Sequence, residues 1–328
     1  MVAAVFKELA SMMSSTEMSY SLVVMTHDRL YALRDPYGNR PLCFGVFYSS
    51  AISNNDSMRK PLGYIAASES CAFPFGSEVI GEVKPGEIIE ISRRGIRAVF
   101  QMKPAKAAFC IFEYVYFARA DSKLEGQQVH SVREECGRIL AQESPVEADV
   151  VCCVPDSAMA ATIGYANEIG IKYEQILFRN SYVGRSFIQP NTELRRNSVV
   201  KKFGVISKNV EGKRIILIDD SIVRGNTMTF IVGMLRVQGA KEVHLRIASP
   251  PVKFPCFMGI NLPSADELIA SKLSIDEISA QFGADSVRYL SIGGLQKAVT
   301  KNIVPQLNFD VGHCMACLTG NYPVPLDW

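Results

Sequence analysis

Two adjacent carboxylates, Asp219 and Asp220, stand between an apolar run and a short polar loop. The run Arg214–Ile218 contains four consecutive apolar residues, which is typical of a buried central strand. The loop Ser221–Thr227 leads into a predicted helix, where free N–H groups and the helix dipole favour a phosphate. Because open α/β sheets bind ligands at the carboxyl ends of their strands, this segment predicts a site for a ligand with hydroxyl and phosphate groups.

The same residues also have a purely structural interpretation. An isolated acidic pair would more often cap a helix, and Gly225 would then only form a turn. The segment lacks the Gly-Lys-Ser/Thr of an ATPase phosphate loop and the Gly-x-Gly-x-x-Gly of a dinucleotide-binding fold. The complete combination of strand, acidic pair and glycine-containing loop favours ligand binding over capping.

The spacing of Cys314 and Cys317 is a second chemical signal, because a turn over two intervening residues can direct both thiolates at one metal ion. One such pair is equally compatible with a redox pair or with coincidence, and spacing does not identify partners among the nine cysteines. Five cysteines in apolar surroundings are predicted to be small core residues: Cys43, Cys71, Cys136, Cys152 and Cys153. An odd number of cysteines argues against a disulfide framework.

The bulk composition of the 328 residues is that of an ordinary globular protein, with 48% hydrophobic and 21% charged residues. The formal net charge of +2 comes from scattered lysines and arginines, so no nucleic-acid-binding surface is predicted. No apolar run is long enough to cross a bilayer, and the N-terminus lacks the pattern of a secretory signal. We therefore expect a cytoplasmic protein that binds neither a membrane nor nucleic acid.

The pattern of hydrophobic residues changes near residue 105. Before it, short strands separated by turns are predicted at 20–25, 30–33, 43–48, 64–67 and 87–91. After it, strands are predicted at 148–154, 214–218 and 242–248, and helices at 157–169 and 227–238. Alternating strands and helices predict a parallel sheet that is covered on both faces.

Several segments together resemble one enzyme family, the glutamine phosphoribosylpyrophosphate amidotransferases of purine synthesis. The resemblance is carried by the string Asp-Asp-Ser-Ile-Val-Arg-Gly-Asn-Thr and by segments 34–42, 109–122, 182–190, 214–227, 249–262 and 312–320. It implies a type I phosphoribosyltransferase fold, an α/β fold with a parallel sheet flanked by helices, preceded by a truncated β-rich glutaminase domain of the N-terminal-nucleophile type. The implied domains are a glutaminase remnant at 1–105, a transferase at 106–300 and a C-terminal tail at 301–328.

The resemblance also implies a reaction, in which the phosphoribosyl group of phosphoribosyl pyrophosphate (PRPP) passes to ammonia. Asp219 and Asp220 would contact the ribose hydroxyls and Mg²⁺, and Ser157 matches the third metal position of the family. From the sequence alone Ser157 is a helix N-cap, and the two roles are compatible. The family's loop for the 5′-phosphate corresponds here to Ser221, Ile222, Val223, Arg224, Gly225, Asn226 and Thr227.

A second loop, 179–188, would by the same resemblance close over PRPP and exclude water from the reaction. Arg185 would face the pyrophosphate, and Tyr182 the closed site. Arg179 and Ser181 stand where family members usually carry lysine and arginine, so one of two positive charges is kept. Without the resemblance, two arginines here would indicate only a basic surface loop.

Cys110 and Cys256, together with Cys314 and Cys317, match the four ligands of the family's [4Fe–4S] subgroup. We expect this cluster to be structural rather than the reacting centre. A four-cysteine zinc site is the chemical alternative. The neighbouring His313 is not expected to be a ligand.

The nucleophilic N-terminal cysteine with which the family hydrolyses glutamine has no counterpart in this chain, which begins Met-Val-Ala. We therefore expect ammonia rather than glutamine to be the nitrogen donor. The alternative function is that of a non-catalytic, PRPP-binding regulator or partner subunit. The resemblance further implies a homo-oligomer, a homotetramer or dimer, with feedback inhibition by purine nucleotides.

Overall fold

The computed structural model describes residues 2–16, 18–48, 61–103, 105–180, 182, 203–303 and 312–326. The strands are β1 Ser21–Met25, β2 Leu30–Arg34, β3 Cys43–Tyr48, β4 Pro61–Ala67, β5 Ser77–Glu82, β6 Glu87–Ser92, β7 Gly95–Gln101, β8 Phe109–Cys110, β9 Lys123–Leu124, β10 Gln127–Gln128, β11 Val150–Cys153, β12 Leu177–Arg179, β13 Phe203–Val205, β14 Arg214–Asp219, β15 Glu242–Ile247, β16 Ser286–Tyr289 and β17 His313–Cys314. The helices are α1 Val2–Ser15, α2 Val129–Glu143, α3 Met159–Ile169, α4 Asn226–Val237, α5 Ile269–Lys272, α6 Ile275–Phe282, α7 Ile292–Thr300 and α8 Ala316–Thr319.

The first hundred residues fold into two antiparallel sheets with the strand orders β1-β2-β6-β7 and β4-β3-β5. The central strands β2 and β6 are largely buried, whereas the outer strands β1 and β7 are partly exposed. Helix α1 covers one face, because Met13 joins Tyr31, Leu33 and Ile88 in one apolar cluster. The β-rich character predicted for this half of the chain is confirmed.

The second half is built on a parallel sheet with the strand order β11-β14-β15-β16. Strand β14 has apolar cores on both faces, with Ile216 and Ile218 in one and Ile215 and Leu217 in the other. Helices α2, α3 and α7 cover the first face, and α4 and α6 cover the second. This arrangement confirms the predicted parallel sheet and explains why its strands read as continuous apolar runs.

Helices α2 and α3 approach each other so closely that only glycine fits at two positions. A Cβ on Gly137 would lie 1.8 Å from the Ala161 carbonyl oxygen, and one on Gly164 would lie 1.9 Å from the Glu134 carbonyl oxygen. Since real Cβ atoms never approach a backbone oxygen so closely, any larger residue would force the helices apart. The contact fixes α2 against the helix that follows the loop containing Ser157.

The segment from Arg34 to Asn39 is buried between the two halves of the chain. Arg34 donates hydrogen bonds to the carbonyl oxygens of Arg40, Gly38 and Val83 at 2.6, 2.7 and 2.9 Å. Asn39 reaches into the second half, where its Nδ2 donates to Ala108 and its carbonyl oxygen accepts the N–H of Cys110. The charged, turn-rich segment is thus a packed connection that holds β8 in place.

The predicted elements agree with the observed ones to within a few residues, and two differences are informative. Cys71 was predicted to be a core residue, but it lies in a short 3₁₀ turn, Ser70–Ala72, and is half-buried. Helix α2 was not predicted, because its buried face is interrupted by polar residues. All nine cysteines are free thiols. Within the described residues, no helix has the length and apolar character needed to span a bilayer.

Candidate active site

The acidic pair lies at the carboxyl edge of the parallel sheet. Asp219 is the last residue of β14, and Asp220 follows it. The register pairs Cys153 of β11 with Ile218, and Ile247 of β15 with Asp219, so three strands end side by side. This is the edge at which sheets of this class bind ligands.

Asp220 is held on both carboxylate oxygens by serine hydroxyls. Its Oδ1 accepts a hydrogen bond from Ser157 Oγ, and its Oδ2 accepts one from Ser221 Oγ at 2.8 Å. Asp220 is only 7% exposed, and burial raises its pKa, while the two hydroxyl hydrogen bonds and the charge of Arg133 oppose that shift. Two donors on one carboxylate restrict its orientation, which is a property that a ligand-binding carboxylate requires.

Asp219 presents a second, more accessible carboxylate. It is half-buried, and its Oδ1 accepts the backbone N–H of Asp220 at 3.0 Å. Burial and the charge of Asp219 together raise the pKa of Tyr289, the last residue of β16. The pair therefore combines one immobilised carboxylate with one that has greater access to solvent.

Ser157 does not cap a helix. Helix α3 begins at Met159 with Ala158 in the N-cap position, and the Ser157 hydroxyl donates instead to Asp220. The N-cap interpretation was wrong because α3 begins one residue too late for Ser157 to stand at the N-cap, and its hydroxyl is directed at Asp220, 63 residues along the chain. Next to Ser157, Asp156 forms a 2.7 Å ion pair with Arg179, which ties this loop to the end of β12.

The loop after the acidic pair turns into α4 at Gly225. This residue has a φ of +80°, and a Cβ there would lie 2.8 Å from Phe282 and 2.9 Å from Ile269. No side chain caps α4, so neither Asp219 nor Asp220 is a helix cap. The Met228 N–H donates to the Gly225 carbonyl oxygen, and the amides of Asn226 and Thr227 stand at the helix end that favours an anion. The capping alternative is thereby excluded.

Three residues within this loop make structural contacts with the rest of the protein. Ile222 is buried in the core, the carbonyl oxygen of Val223 accepts the N–H of Ile269 at 3.0 Å, and Arg224 forms a 2.7 Å ion pair with Glu267. The phosphate contacts predicted for these three residues would therefore come from backbone amides rather than from side chains. Ser221, Gly225, Asn226 and Thr227 complete the loop.

Two predicted site residues, Tyr182 and Arg185, follow β12 in the sequence. Tyr182 is almost fully exposed, and its backbone N–H donates to Asn180 Oδ1 at 3.0 Å. Arg185 lies outside the described residues. The roles of Tyr182 and Arg185 over a bound ligand stay predictions.

Four cysteines from three distant segments share one neighbourhood. Cys110 of β8 and Cys314 of β17 are paired directly in a short parallel ladder. The carbonyl oxygen of Cys317 accepts two amide N–H groups, each at 3.0 Å, from the segment that leads to Cys256. The structure thus brings together all four cysteines that the family resemblance singled out.

These thiols are coupled electrostatically. Burial raises the pKa of Cys110 to about 12, and it also raises the pKa values of Cys314 and Cys317. Charges on Cys110, Cys256 and Cys314 would raise the pKa of Cys317 further. Because thiolates here repel one another, deprotonating all four requires a compensating cation. In the part of the chain that the structure describes, no three His, Cys, Asp or Glu side chains already have the arrangement that holds a metal ion.

Sequence reasoning missed two residues that border these sites. Arg133 of α2 is buried behind Asp220, and a hydrogen bond from Asn39 lowers the pKa of Cys314. Arg133 was detectable in principle, because it shares the apolar face of α2 with the buried Val129 and Cys136 at helical spacing. Asn39 had no such signal. His313 was predicted not to be a ligand, and its Nε2 contacts Glu125 Oε2 at 2.8 Å.

Comparison with known proteins identifies the family. The amidophosphoribosyltransferase of Mus musculus is 50% identical to this chain over 345 residues, covering 98% of this chain and 67% of that protein. This chain belongs to the amidophosphoribosyltransferase family. The amidophosphoribosyltransferase of Drosophila melanogaster is 53% identical over 314 residues, covering 93% of this chain and 58% of that protein. No family model matches the chain.

The amidophosphoribosyltransferase fold is also shown by solved structures. Glutamine PRPP amidotransferase from B. subtilis, complexed with ADP and GMP, matches with a TM-score of 0.84 at 42% identity, covering 97% of this chain and 66% of that one. The match confirms the type I phosphoribosyltransferase fold expected from the resemblance. The chain spans 58% to 67% of the length of the two curated relatives.

Proposed function

We propose that this member of the amidophosphoribosyltransferase family transfers the phosphoribosyl group of PRPP to ammonia, giving 5-phosphoribosylamine in the first step of purine synthesis. The observation that carries the proposal is the buried Asp220, oriented by Ser157 and Ser221 directly before an uncapped helix. An oriented carboxylate beside an anion site matches the needs of a phosphorylated ribose that binds with a divalent cation.

The chain's own groups would bind and orient the reactants. Asp219 and Asp220 would accept hydrogen bonds from the ribose hydroxyls, and the amides of Ser221–Thr227 would hold the 5′-phosphate. Ammonia attacks C1 with its lone pair as the C1–O bond to pyrophosphate breaks, and the surplus proton passes to solvent. No side chain has to act as a nucleophile, because orientation and charge stabilisation supply the acceleration. Tyr182 and Arg185 would act on the pyrophosphate side.

The donor set at this edge fits Mg²⁺. Asp219, Asp220 and Ser157 offer carboxylate and hydroxyl oxygens, which this hard cation prefers. When bound, the ion stabilises the negative charge on the departing pyrophosphate. The hydrogen bond from Ser157 to Asp220 shows that two of the three donors already meet.

The thiols of Cys110, Cys256, Cys314 and Cys317 fit an iron–sulfur centre, because four soft donors converge in a largely buried place. The N–H of Met258 also donates to Cys256 Sγ at 3.3 Å, a contact that stabilises a sulfur ligand. We infer a [4Fe–4S] cluster with a structural role, and a four-cysteine zinc site is the alternative. Iron and zinc analysis of anaerobically purified protein distinguishes them, and folded protein without either metal would refute both.

Three further properties belong to the same proposal. Nucleotide binding in the B. subtilis relative, solved with ADP and GMP, supports inhibition by purine nucleotides. We also propose a homo-oligomer, and a cytoplasmic location because all nine cysteines are free thiols.

The decisive experiment is a measurement of Mg²⁺-dependent pyrophosphate release from PRPP by protein purified without oxygen. Ammonium and glutamine are supplied separately, and PRPP binding is measured in parallel. We expect release with ammonium and none with glutamine alone. Binding of PRPP without release under either condition would contradict the enzyme proposal and support a PRPP-binding regulator.

A further inference from the structure

Arg133 is a buried arginine whose hydrogen bonds leave its charge unbalanced. It lies in α2 and is 8% exposed. Its Nε donates to the carbonyl oxygen of Tyr114 and its Nη2 to that of Ala118, each at 2.7 Å. Tyr114 lies within the π-helical segment Glu113–Phe117 and Ala118 directly follows it, so this segment holds the guanidinium in one orientation. Neutral carbonyl oxygens satisfy its donors but bring no negative charge, and a buried arginine normally faces one.

The negative charge that Arg133 faces belongs to Asp220. Arg133, Ser157 and Asp220 line one small cavity that is otherwise closed by apolar neighbours. Burial lowers the pKa of Arg133, and the negative charge of Asp220 across this cavity opposes that shift. The guanidinium therefore lies behind the acidic pair, on the side where Ser157 donates to the carboxylate.

We propose that Arg133 is a positioning residue for Asp220: its guanidinium, anchored to Tyr114 and Ala118, provides the buried positive charge that holds this carboxylate in the orientation that binds Mg²⁺ and PRPP. The proposal rests on the proposed function, since only there does Asp220 contact these ligands. Arg133 positions the carboxylate rather than binding PRPP, because its Nε and Nη2 are taken up by the carbonyl oxygens of Tyr114 and Ala118.

The geometry explains why the two serine hydroxyls are not sufficient. Ser157 and Ser221 each occupy one oxygen of Asp220, but a hydroxyl on a short side chain can rotate toward another acceptor. A guanidinium fixed by two backbone carbonyls cannot, because its planar fork has one orientation. Arg133 thus sets the direction of the Asp220 carboxylate, and the hydroxyls of Ser157 and Ser221 rotate to donate to it.

The test compares two buried arginines of the same region. Arg133→Gln and Arg133→Lys are matched with Arg246→Gln and Arg246→Lys. Arg246 is also buried, and it donates to the carbonyl oxygens of Ser144 and Leu245 at 2.9 Å each. Both arginines anchor backbone carbonyls, but only Arg133 faces Asp220.

The kinetic readout is kcat and KM for PRPP with saturating ammonium, together with thermal midpoints, on the full chain. Arg133→Gln should raise the KM for PRPP roughly 10- to 100-fold, as expected when the buried charge facing a ligand-binding carboxylate is lost. Arg133→Lys keeps the charge and should stay within about fivefold of the parent protein. The Arg246 variants should lower the midpoint but change KM less than about twofold.

The outcomes separate the two proposals. A parent protein that releases no pyrophosphate contradicts the proposed function. An active parent protein in which the Arg133 and Arg246 variants have the same KM overturns the role of Arg133.

A thermal-stability cycle with Asp220→Asn gives an answer that does not depend on activity. Arg133→Gln should lower the midpoint more in the parent protein than in the Asp220→Asn background, where no buried charge is left without a partner. Should Arg133→Gln alone fail to fold, a folded double variant supports the pairing. Equal losses in both backgrounds, or a double variant that also fails to fold, overturn it.

Discussion

The acidic pair and the cysteine group are both assembled from distant parts of the chain, yet they reach different degrees of order. At the acidic pair, Ser157 and Ser221 already donate to Asp220. At the cysteine group, Cys110 and Cys314 are neighbours, but no three donors within the described residues form a ready metal site. Both carboxylate oxygens of Asp220 are therefore hydrogen-bonded, whereas the cysteines lie near one another without the geometry of a metal site.

The difference follows from the charges involved. A carboxylate attracts hydroxyl and guanidinium donors, so the chain alone can fix Asp220. Four thiols are weak donors to one another, and as thiolates they repel, so a cation has to supply the attraction. Preorganisation by the protein suits the oxygen site, whereas the sulfur site depends on its metal.

The largest expected effect is at the acidic pair. Asp220→Asn and Asp219→Asn should each lower pyrophosphate release roughly 10²- to 10³-fold, as the loss of an oriented charge-stabilising group does elsewhere. Asp149→Asn is the control, because Asp149 pairs with Arg214 at the opposite end of the same sheet. Release that survives both substitutions in the pair would show that the ordered site is not the reacting one.

The next effect concerns metal retention. Cys314→Ser should reduce bound iron by more than about a hundredfold, since even groups behind a metal ligand are worth 10- to 100-fold in affinity. Cys71→Ser, a half-buried cysteine beside Glu69, should leave iron unchanged. Iron per chain and the visible spectrum are the measurements, and equal iron in both variants would contradict the assignment of Cys314.

A smaller effect is expected at the phosphate loop. Gly225→Ala should cost about 3 kcal/mol of folding free energy, because it adds overpacking against Phe282 and Ile269 to backbone strain. Gly283→Ala has the same sign of φ but nothing within 4 Å of a Cβ, so it should cost about 1 kcal/mol. Urea denaturation measures both costs. Similar losses would mean that Gly225 is required only for its backbone conformation.

The smallest effect on stability is expected at Ser274, which lies outside the phosphate loop itself. Ser274 forms a capping box with Glu277 at the start of α6, the helix whose Phe282 packs on Gly225. Ser274→Ala should cost about 1 kcal/mol, and Ser274→Thr should retain most of that stability. The KM for PRPP should change less than about twofold in both. A larger change in KM would show that the loop takes its shape from α6.

Local sequence patterns predicted the elements that carry the acidic pair. Strand β14 is a continuous apolar run, and α4 follows a glycine turn, so the pattern alone located both to within two residues. The use of Ser157 could not be derived in the same way. Whether a serine caps its own helix or donates to a distant carboxylate depends on which acceptor the fold brings near it.

The cysteine group was predictable only through resemblance. Spacing pointed to Cys314 and Cys317, but it could not choose their partners, because β8 and β17 are joined by tertiary pairing. The setting of Cys71 was missed for a related reason. It was predicted to be a core residue, whereas the turn at Ser70–Ala72 leaves it half-buried and places the Ser70 hydroxyl where it accepts the N–H of Lys123.

The two-residue ladder between β8 and β17 also determines how late in translation the cysteine group can assemble. Cys110 and its partner strand are separated by roughly 200 residues, a loop whose closure is entropically costly and must await the intervening sheet. Cys110 and Cys256 therefore leave the ribosome well before Cys314 and Cys317 exist to join them. The thiol of Cys110 therefore waits for Cys314 to be made before the pairing of β8 with β17 can form.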